Sequence, residues 1–112
     1  TSHDDIYPLA DDRRLPLRHE MFAQDAIVLK NAARSVKIAS DKGKKSIIVD
    51  YPDFQYIGFW HKPNCDAPYV CVEPWSAFPS RDGIVEELTQ QADLTRLDAG
   101  RSYETTWVIT VE

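Results

Sequence analysis

The spacing of the apolar residues most constrains the fold, because they fall in short runs separated by prolines and charged turns. No stretch of about ten or more residues repeats its apolar side chains with the period of a helix. Residues 35–40 alternate, residues 46–51 resume a β pattern, and the charged turn between them contains Gly43. This pattern predicts antiparallel strands with hairpin-length connections, as in a β-meander.

Further strands are predicted on both sides of this hairpin. Residues 26–29 form a short apolar run, and residues 55–60 are rich in aromatic side chains, which strands favour. Residues 69–73 form another apolar run, and we expect Pro74 to end it because proline cannot donate a ladder hydrogen bond.

The last part of the chain alternates most regularly. Residues 102–111 place Tyr103, Thr105, Trp107, Ile109 and Val111 on one face, which predicts a long, half-buried closing strand. With a short strand at 95–97, about seven strands are expected. The fold class predicted is all-β, an antiparallel β-sandwich.

The first 24 residues differ from the rest. They carry clustered charges and two interrupting prolines, Pro8 and Pro16, which predict an extended lead-in over residues 1–24. Apolar residues at 15–17 and 21–22 are placed to dock on a core. Residues 25–112 form the sandwich portion.

Composition narrows the class of protein. A chain of 112 residues that is 43% hydrophobic fits one compact domain and argues against disorder. The net charge of −5 disfavours a nucleic-acid partner. No apolar run approaches the ~20 residues of a membrane span, so no membrane partner is expected.

Two cysteines, Cys65 and Cys71, flank Pro68 and lack the further ligands that a metal site needs. No signal-peptide pattern is found at the start of the sequence. We therefore expect reduced thiols, no metal and a cytoplasmic protein.

Glu73 is the candidate catalytic residue. It lies between Val72 and Pro74, with Trp75 close behind. A carboxylate that loses solvation beside apolar groups has a raised pKa and is a better general base. The alternative is an exposed acid at the end of a strand.

Other candidates are the aromatic residues Tyr56, Trp60 and Trp75, whose flat faces suit the apolar faces of sugar rings. Asp25, before the first strand, could accept hydrogen bonds from ligand hydroxyls. The alternatives are core filling for the aromatics and a solvated strand-start residue for Asp25.

The three histidines, His3, His19 and His61, lack an acid or cysteine at triad-like or metal-like spacing, which favours solvated histidines. No phosphate-binding, dinucleotide-binding, nucleophile-elbow or zinc-protease motif is present in the sequence.

Four segments in this order resemble the carboxyl-terminal part of the aldose 1-epimerase (galactose mutarotase-like) family, in particular a bacterial subgroup with a Glu-Pro-Trp signature. The resemblance covers nearly all of residues 15–112. The segments are 22–31, 54–63, 67–75, which contains Glu73-Pro74-Trp75, and 97–104.

The resemblance implies a large antiparallel β-sandwich, the supersandwich, and a cofactor-free reaction. That reaction interconverts the α and β anomers of an aldohexose by opening and closing the sugar ring. Glu73 matches the family's glutamate base, and Asp25 matches an aspartate that binds sugar hydroxyls. Trp60 and Trp75 are placed as walls of the sugar cleft.

The sequence departs from the family in the acid. Relatives carry the histidine that protonates the ring oxygen upstream of the Asp25 segment, and His19 lies too late to match it. Family members are also much longer. With no initiator Met at Thr1, we expect a carboxyl-terminal portion that needs the missing amino-terminal portion as its partner.

Two other functions stay open. A β-sandwich with exposed tryptophans and no acid suits a carbohydrate-binding module without catalysis. A hexose-6-phosphate 1-epimerase would need cations near the cleft, for which Lys62 and Arg81 are the candidates, although solvated surface charge is the alternative for both.

Overall fold

A computed structural model describes residues 9–11, 13–80 and 83–112. These residues form six strands and two short 3-10 turns, and no α-helix occurs among them. The strands are β1 (Ile27–Lys30), β2 (Ser35–Ala39), β3 (Ser46–Asp50), β4 (Tyr56–Trp60), β5 (Cys71–Trp75) and β6 (Val108–Val111), and the turns span His19–Phe22 and Leu88–Gln90.

The strands form two antiparallel sheets of three strands each. The first sheet has the order β1-β4-β5 and the second the order β2-β3-β6. The all-β sandwich prediction is therefore confirmed. The meander prediction is wrong at one step, because β1 and β2 follow each other in sequence but lie in different sheets. Alternation identifies a strand but leaves its partner open.

Both sheets contribute to one apolar core. Ile27, Ile57 and Phe59 enter it from the first sheet, and Val49 enters it from the second. Tyr51, just beyond β3, is fully buried and donates its hydroxyl hydrogen bond to the Ala33 carbonyl. The core therefore lies between the two sheets, which is the arrangement that defines a sandwich.

The segment before β1 joins this core. Phe22, at the end of the first 3-10 turn, is almost completely buried, and Leu15 and Met21 pack against the core. These are residues that the sequence placed to dock. Within the described ranges, no helix has the length and apolar character to cross a bilayer.

The closing strand differs from its prediction. β6 spans four residues instead of residues 102–111, and all four are exposed. Ile109 and Val111 pair with Val49 and Ile47, so they lie on the core-side face of the second sheet. Yet Ile109 is 53% and Val111 67% exposed, because no described residue covers this end of the face.

The strand predicted at 95–97 is also wrong. Residues 91–107 form no strand, so six strands replace the expected seven in the described part of the chain. This region is joined to the rest of the chain by a side-chain hydrogen bond, in which the Thr106 N–H donates to Asp53 Oδ2 at 2.8 Å.

Glu112 fastens β6 to its neighbours. Its backbone exchanges hydrogen bonds with Ser46, and its carboxylate accepts from Lys37 Nζ at 2.6 Å and from Ser46 Oγ at 3.0 Å. The hydrogen bond from Lys37 is the main reason that the pKa of Glu112 lies below its usual value, and the Ser46 hydroxyl lowers it further.

This contact predicts a pH-dependent anchor. A carboxyl with a lowered folded-state pKa stabilises the fold above its unfolded pKa, and that contribution disappears as the pH falls through the folded value. Replacing Glu112 with Gln should therefore speed amide exchange in β6 relative to wild type at pH 7, and less so at pH 3. Glu104→Gln, at an exposed glutamate, is the control. An equal effect at both pH values would contradict the anchor.

Candidate functional site

The candidate site lies on the face of the first sheet that points away from the core. Strands β4 and β5 pair so that Gly58 lies opposite Glu73, and Trp60 lies opposite Cys71. Residues that face each other across antiparallel strands share a side of the sheet. We call this side, which carries Tyr56, Gly58, Trp60, Glu73 and Trp75, the outer face.

Glu73 lies inside β5 and is half-buried. The prediction that Pro74 ends this strand is wrong, because β5 continues to Trp75. Within the described residues β5 is an edge strand, where a proline is tolerated because one side of the backbone has no strand to bond. Because β5 also includes Pro74 and Trp75, Trp75 lies in the sheet on the same face as Glu73.

Trp75 orients the carboxylate of Glu73. Its indole Nε1–H donates a hydrogen bond to Glu73 Oε2 at 3.1 Å. Among the described residues Oε1 has no hydrogen-bond partner, so the carboxylate is held at one oxygen and free at the other.

The absence of a side chain at Gly58 makes this contact fit. A Cβ placed on Gly58 would lie 3.4 Å from Trp75 Cε2 and 3.5 Å from Trp75 Cζ2. The indole therefore lies directly on the backbone of β4, within reach of the neighbouring carboxylate. A longer side chain at position 58 would occupy the space of the indole.

Tyr56 is the buried end of the outer face. It is 3% exposed, and its hydroxyl donates a hydrogen bond to Asp93 Oδ2. Burial, and next the hydrogen bond to Asp93, raise the pKa of Tyr56, which keeps the phenol protonated as a donor. Lys30 Nζ lies 5.5 Å from the centre of the ring.

Asp25 stands apart from these residues. It is exposed, it lies two positions before the start of β1, and its Oδ1 accepts from the Ala26 N–H at 2.7 Å. Its φ of 121° shows a backbone conformation that is unusual for a residue with a side chain. No described contact joins it to Glu73, Trp60 or Trp75.

The histidines form a separate cluster. His61 is 1% exposed, so the expectation of a solvated histidine is wrong there, whereas His19 is exposed as expected. The His61 ring stacks on Tyr69 at 4.5 Å between centroids and meets His19 edge-on at 4.6 Å. His3 lies outside the described residues.

The tautomer of His61 follows from its contacts. His61 Nε2 lies 2.9 Å from the Ala67 carbonyl oxygen, which can only accept, so Nε2 carries the proton. Nδ1 is buried and has no hydrogen-bond partner in the described ranges. A cavity of about 100 Å³ lies beside this cluster, lined by Leu17, Arg18, His19, Phe22, His61, Tyr69 and Val70.

Of the two candidate cations for a phosphorylated sugar, Lys62 is exposed and Arg81 lies outside the described residues. Cys65 and Cys71 are free thiols, and no group of three potential metal ligands occurs in the described part of the chain.

Sequence reasoning named Glu73, Trp75, Trp60 and Tyr56, which share the outer face, but missed Gly58 and Asp93. A glycine in an otherwise aromatic strand was the available signal for Gly58, because such glycines often mark a close approach. No local pattern pointed to Asp93, which meets Tyr56 only through the fold.

The fold and the outer face define an all-β protein with a half-buried carboxylate among aromatic residues. The chain is similar to two curated proteins of Lactococcus lactis subsp. lactis, the plasmid and the chromosomal protein LacX. Each is 32% identical over 103 residues, which cover 88% of this chain and 34% of the relative. The chain thus spans about a third of their length. No family model and no solved structure matches it.

The fit between Gly58 and Trp75 generates a prediction. Gly58→Val should push the indole off the sheet, break its hydrogen bond to Glu73 and destabilise the fold by about 1–3 kcal/mol, as overpacking does. The Trp75 indole N–H resonance should move upfield in NMR spectra.

The controls are Gly58→Ala, whose single carbon makes ordinary contacts, and Gly43→Val, where a Cβ would meet no atom within 4 Å. An unchanged indole resonance in Gly58→Val would show that Trp75 does not depend on this close approach.

Proposed function

We propose that this chain belongs to an aldose 1-epimerase-like sugar isomerase that interconverts the α and β anomers of an aldohexose, with Glu73 as the general base. The observation that carries the proposal is the half-buried carboxylate on the outer face, held at Oε2 by Trp75 and, among the described residues, without a hydrogen-bond partner at Oε1. The resemblance of the segments around Asp25 and Glu73 to that family supplies the reaction.

The proposed chemistry needs only proton transfers. Glu73 Oε1 accepts the proton of the sugar's C1 hydroxyl, the bond between C1 and the ring oxygen breaks, and an acid protonates that oxygen. The open aldehyde rotates about C1–C2, and the reverse transfers close the ring on its other face. A base held by a hydrogen bond at one oxygen keeps the other in one direction, which favours proton transfer.

The acid is proposed to come from outside this chain. His19 packs against His61, His61 also stacks on Tyr69, and His61 uses its Nε2–H on the Ala67 carbonyl. Neither therefore suits the role of proton donor opposite Glu73. Since the chain spans 34% of the LacX proteins, we assign the acid to an amino-terminal portion.

The exposed apolar face supports the same partner. Ile109 and Val111 continue the core-side surface of Val49 but lie largely in solvent. Covering such a face removes apolar area from water and protects an open sheet edge. We propose that the amino-terminal portion of the same domain covers it.

Trp60 and Asp25 receive the remaining roles. Trp60 is half-buried on the outer face and carries the proposed stacking contact with the sugar ring. The carboxylate of Asp25, which is exposed and accepts a hydrogen bond from the Ala26 N–H, is proposed to bind sugar hydroxyls. The free thiols of Cys65 and Cys71 fit a cytoplasmic protein, which is the location we propose.

A carbohydrate-binding module without turnover is the second candidate. The positions of His19 and His61 favour it, because no contact in the described residues joins either histidine to Glu73. Sugar binding by the full-length protein without anomer exchange would select it. Comparing free hexose with hexose 6-phosphate as the substrate would distinguish an aldose 1-epimerase from a hexose-6-phosphate 1-epimerase.

The role of Glu73 predicts a catalytic loss. In the full-length protein, Glu73→Gln should slow anomer exchange of freshly dissolved α-galactose or α-glucose by about 100- to 10,000-fold, the usual contribution of a general base. NMR exchange or polarimetry measures the rate. Glu104→Gln, at an exposed glutamate, is the matched control, and an unchanged rate in Glu73→Gln would rule out the assigned base.

The apolar face predicts association of the isolated chain. Residues 1–112 alone should sediment as oligomers or aggregates, and the double substitution Ile109→Ser with Val111→Ser should reduce this, because it removes exposed apolar area. Lys44→Ser with Lys45→Ser, in an exposed turn, is the control. A cooperative melt of a monomeric wild-type chain would contradict the proposed covering portion.

A further inference from the structure

A chain of contacts leads from Glu73 to a residue far along the sequence. Trp75, which holds the carboxylate, lies opposite Tyr56 in the sheet, and the Tyr56 hydroxyl donates to Asp93. Tyr56 and Asp93 are well separated in sequence, so this hydrogen bond fastens the segment that follows β5 back onto the sheet. In the described part of the chain, this side-chain hydrogen bond links that segment to the outer face.

Phe78 contacts both Tyr56 and Trp75. Its ring centre lies 5.4 Å from that of Tyr56 and 6.1 Å from that of Trp75, both within the range of interacting aromatic pairs. Gln91 Nε2 donates to the Phe78 carbonyl at 3.2 Å, which ties Phe78 to the same segment as Asp93. The ring of Phe78 therefore contacts two of the three aromatic residues of the outer face, Tyr56 and Trp75.

We propose that Tyr56 and Asp93 are positioning residues for Glu73: their hydrogen bond holds Phe78 against Trp75, and Trp75 in turn keeps Glu73 Oε2 occupied. The catalytic consequence rests on the proposed function, whereas the coupling between Asp93 and the Trp75 indole does not. Oε1 then remains the oxygen that takes a proton.

The burial of Tyr56 gives the hydrogen bond its importance. A buried hydroxyl needs an acceptor, and a bond to a charged acceptor is among the stronger hydrogen bonds in proteins. The indole of Trp75 packs on Gly58 on one side, and Phe78 is a second described contact that limits its movement. Loss of the anchor at Asp93 would release Phe78 and loosen the indole.

The first test reads the coupling without activity. In the full-length protein, the Trp75 indole N–H resonance, assigned with Trp75→Phe, should differ between wild type and Glu73→Gln, because the acceptor of its hydrogen bond is changed. Tyr56→Phe and Asp93→Ala should each move this resonance toward its value in Glu73→Gln. Tyr103→Phe, at an exposed tyrosine, should leave it unchanged.

Asp93→Asn separates positioning from mere packing. An asparagine oxygen still accepts from the Tyr56 hydroxyl, so this variant should keep the wild-type indole resonance, whereas Asp93→Ala should not. If Asp93→Asn and Asp93→Ala shift the resonance equally, or if neither Tyr56→Phe nor Asp93→Ala shifts it, the proposal fails.

The second test reads the consequence for catalysis. Tyr56→Phe and Asp93→Ala should lower kcat by about two- to tenfold, the effect of one hydrogen bond, with KM little changed. Effects on KM alone would overturn the assignment.

The two proposals fail in different ways. If the wild-type protein exchanges no anomers but the indole resonance responds as described, the proposed function fails and the coupling stands. If anomer exchange depends on Glu73 but the indole resonance is unchanged in Asp93→Ala, the function stands and the positioning role fails.

Discussion

The structure depends on β4 being buried on both faces. Ile57 and Phe59 project into the core, while on the other side Trp75 covers Gly58 and Phe78 packs on Tyr56. A strand packed on two sides has a fixed register, since a slip of one residue would exchange its core residues for its site residues. The position of Glu73 opposite Gly58 is therefore set by the same packing that forms the core.

The strands were predictable where the signal is local. Alternation identified β2 and β3 and the turn between them, and the aromatic run identified β4. The pairing of β1 with β4 was not predictable, because several apolar strands offer equivalent partners. The exposure of β6 was missed for a related reason: its sequence has the pattern of a covered strand, but the described chain supplies no cover.

The site residues were also predictable where the signal is local. Glu73 and Trp75 lie two positions apart, and the alternation of a strand places their side chains on one face. The roles of Gly58 and Asp93 arise from contacts between distant segments, which no local pattern carries. His61 was misjudged because its burial is imposed by Phe22 and Tyr69, which reach it only in the folded chain.

Pro74 has an effect on the edge of the first sheet. A proline offers no backbone N–H, so a passing strand from another molecule cannot form a complete ladder along β5. Within the described residues β5 is an edge strand, and Pro74 thereby protects the strand that carries the carboxylate against intermolecular β-pairing. The outer face can stay open to a small molecule at the same edge where an unprotected strand would invite a fibril.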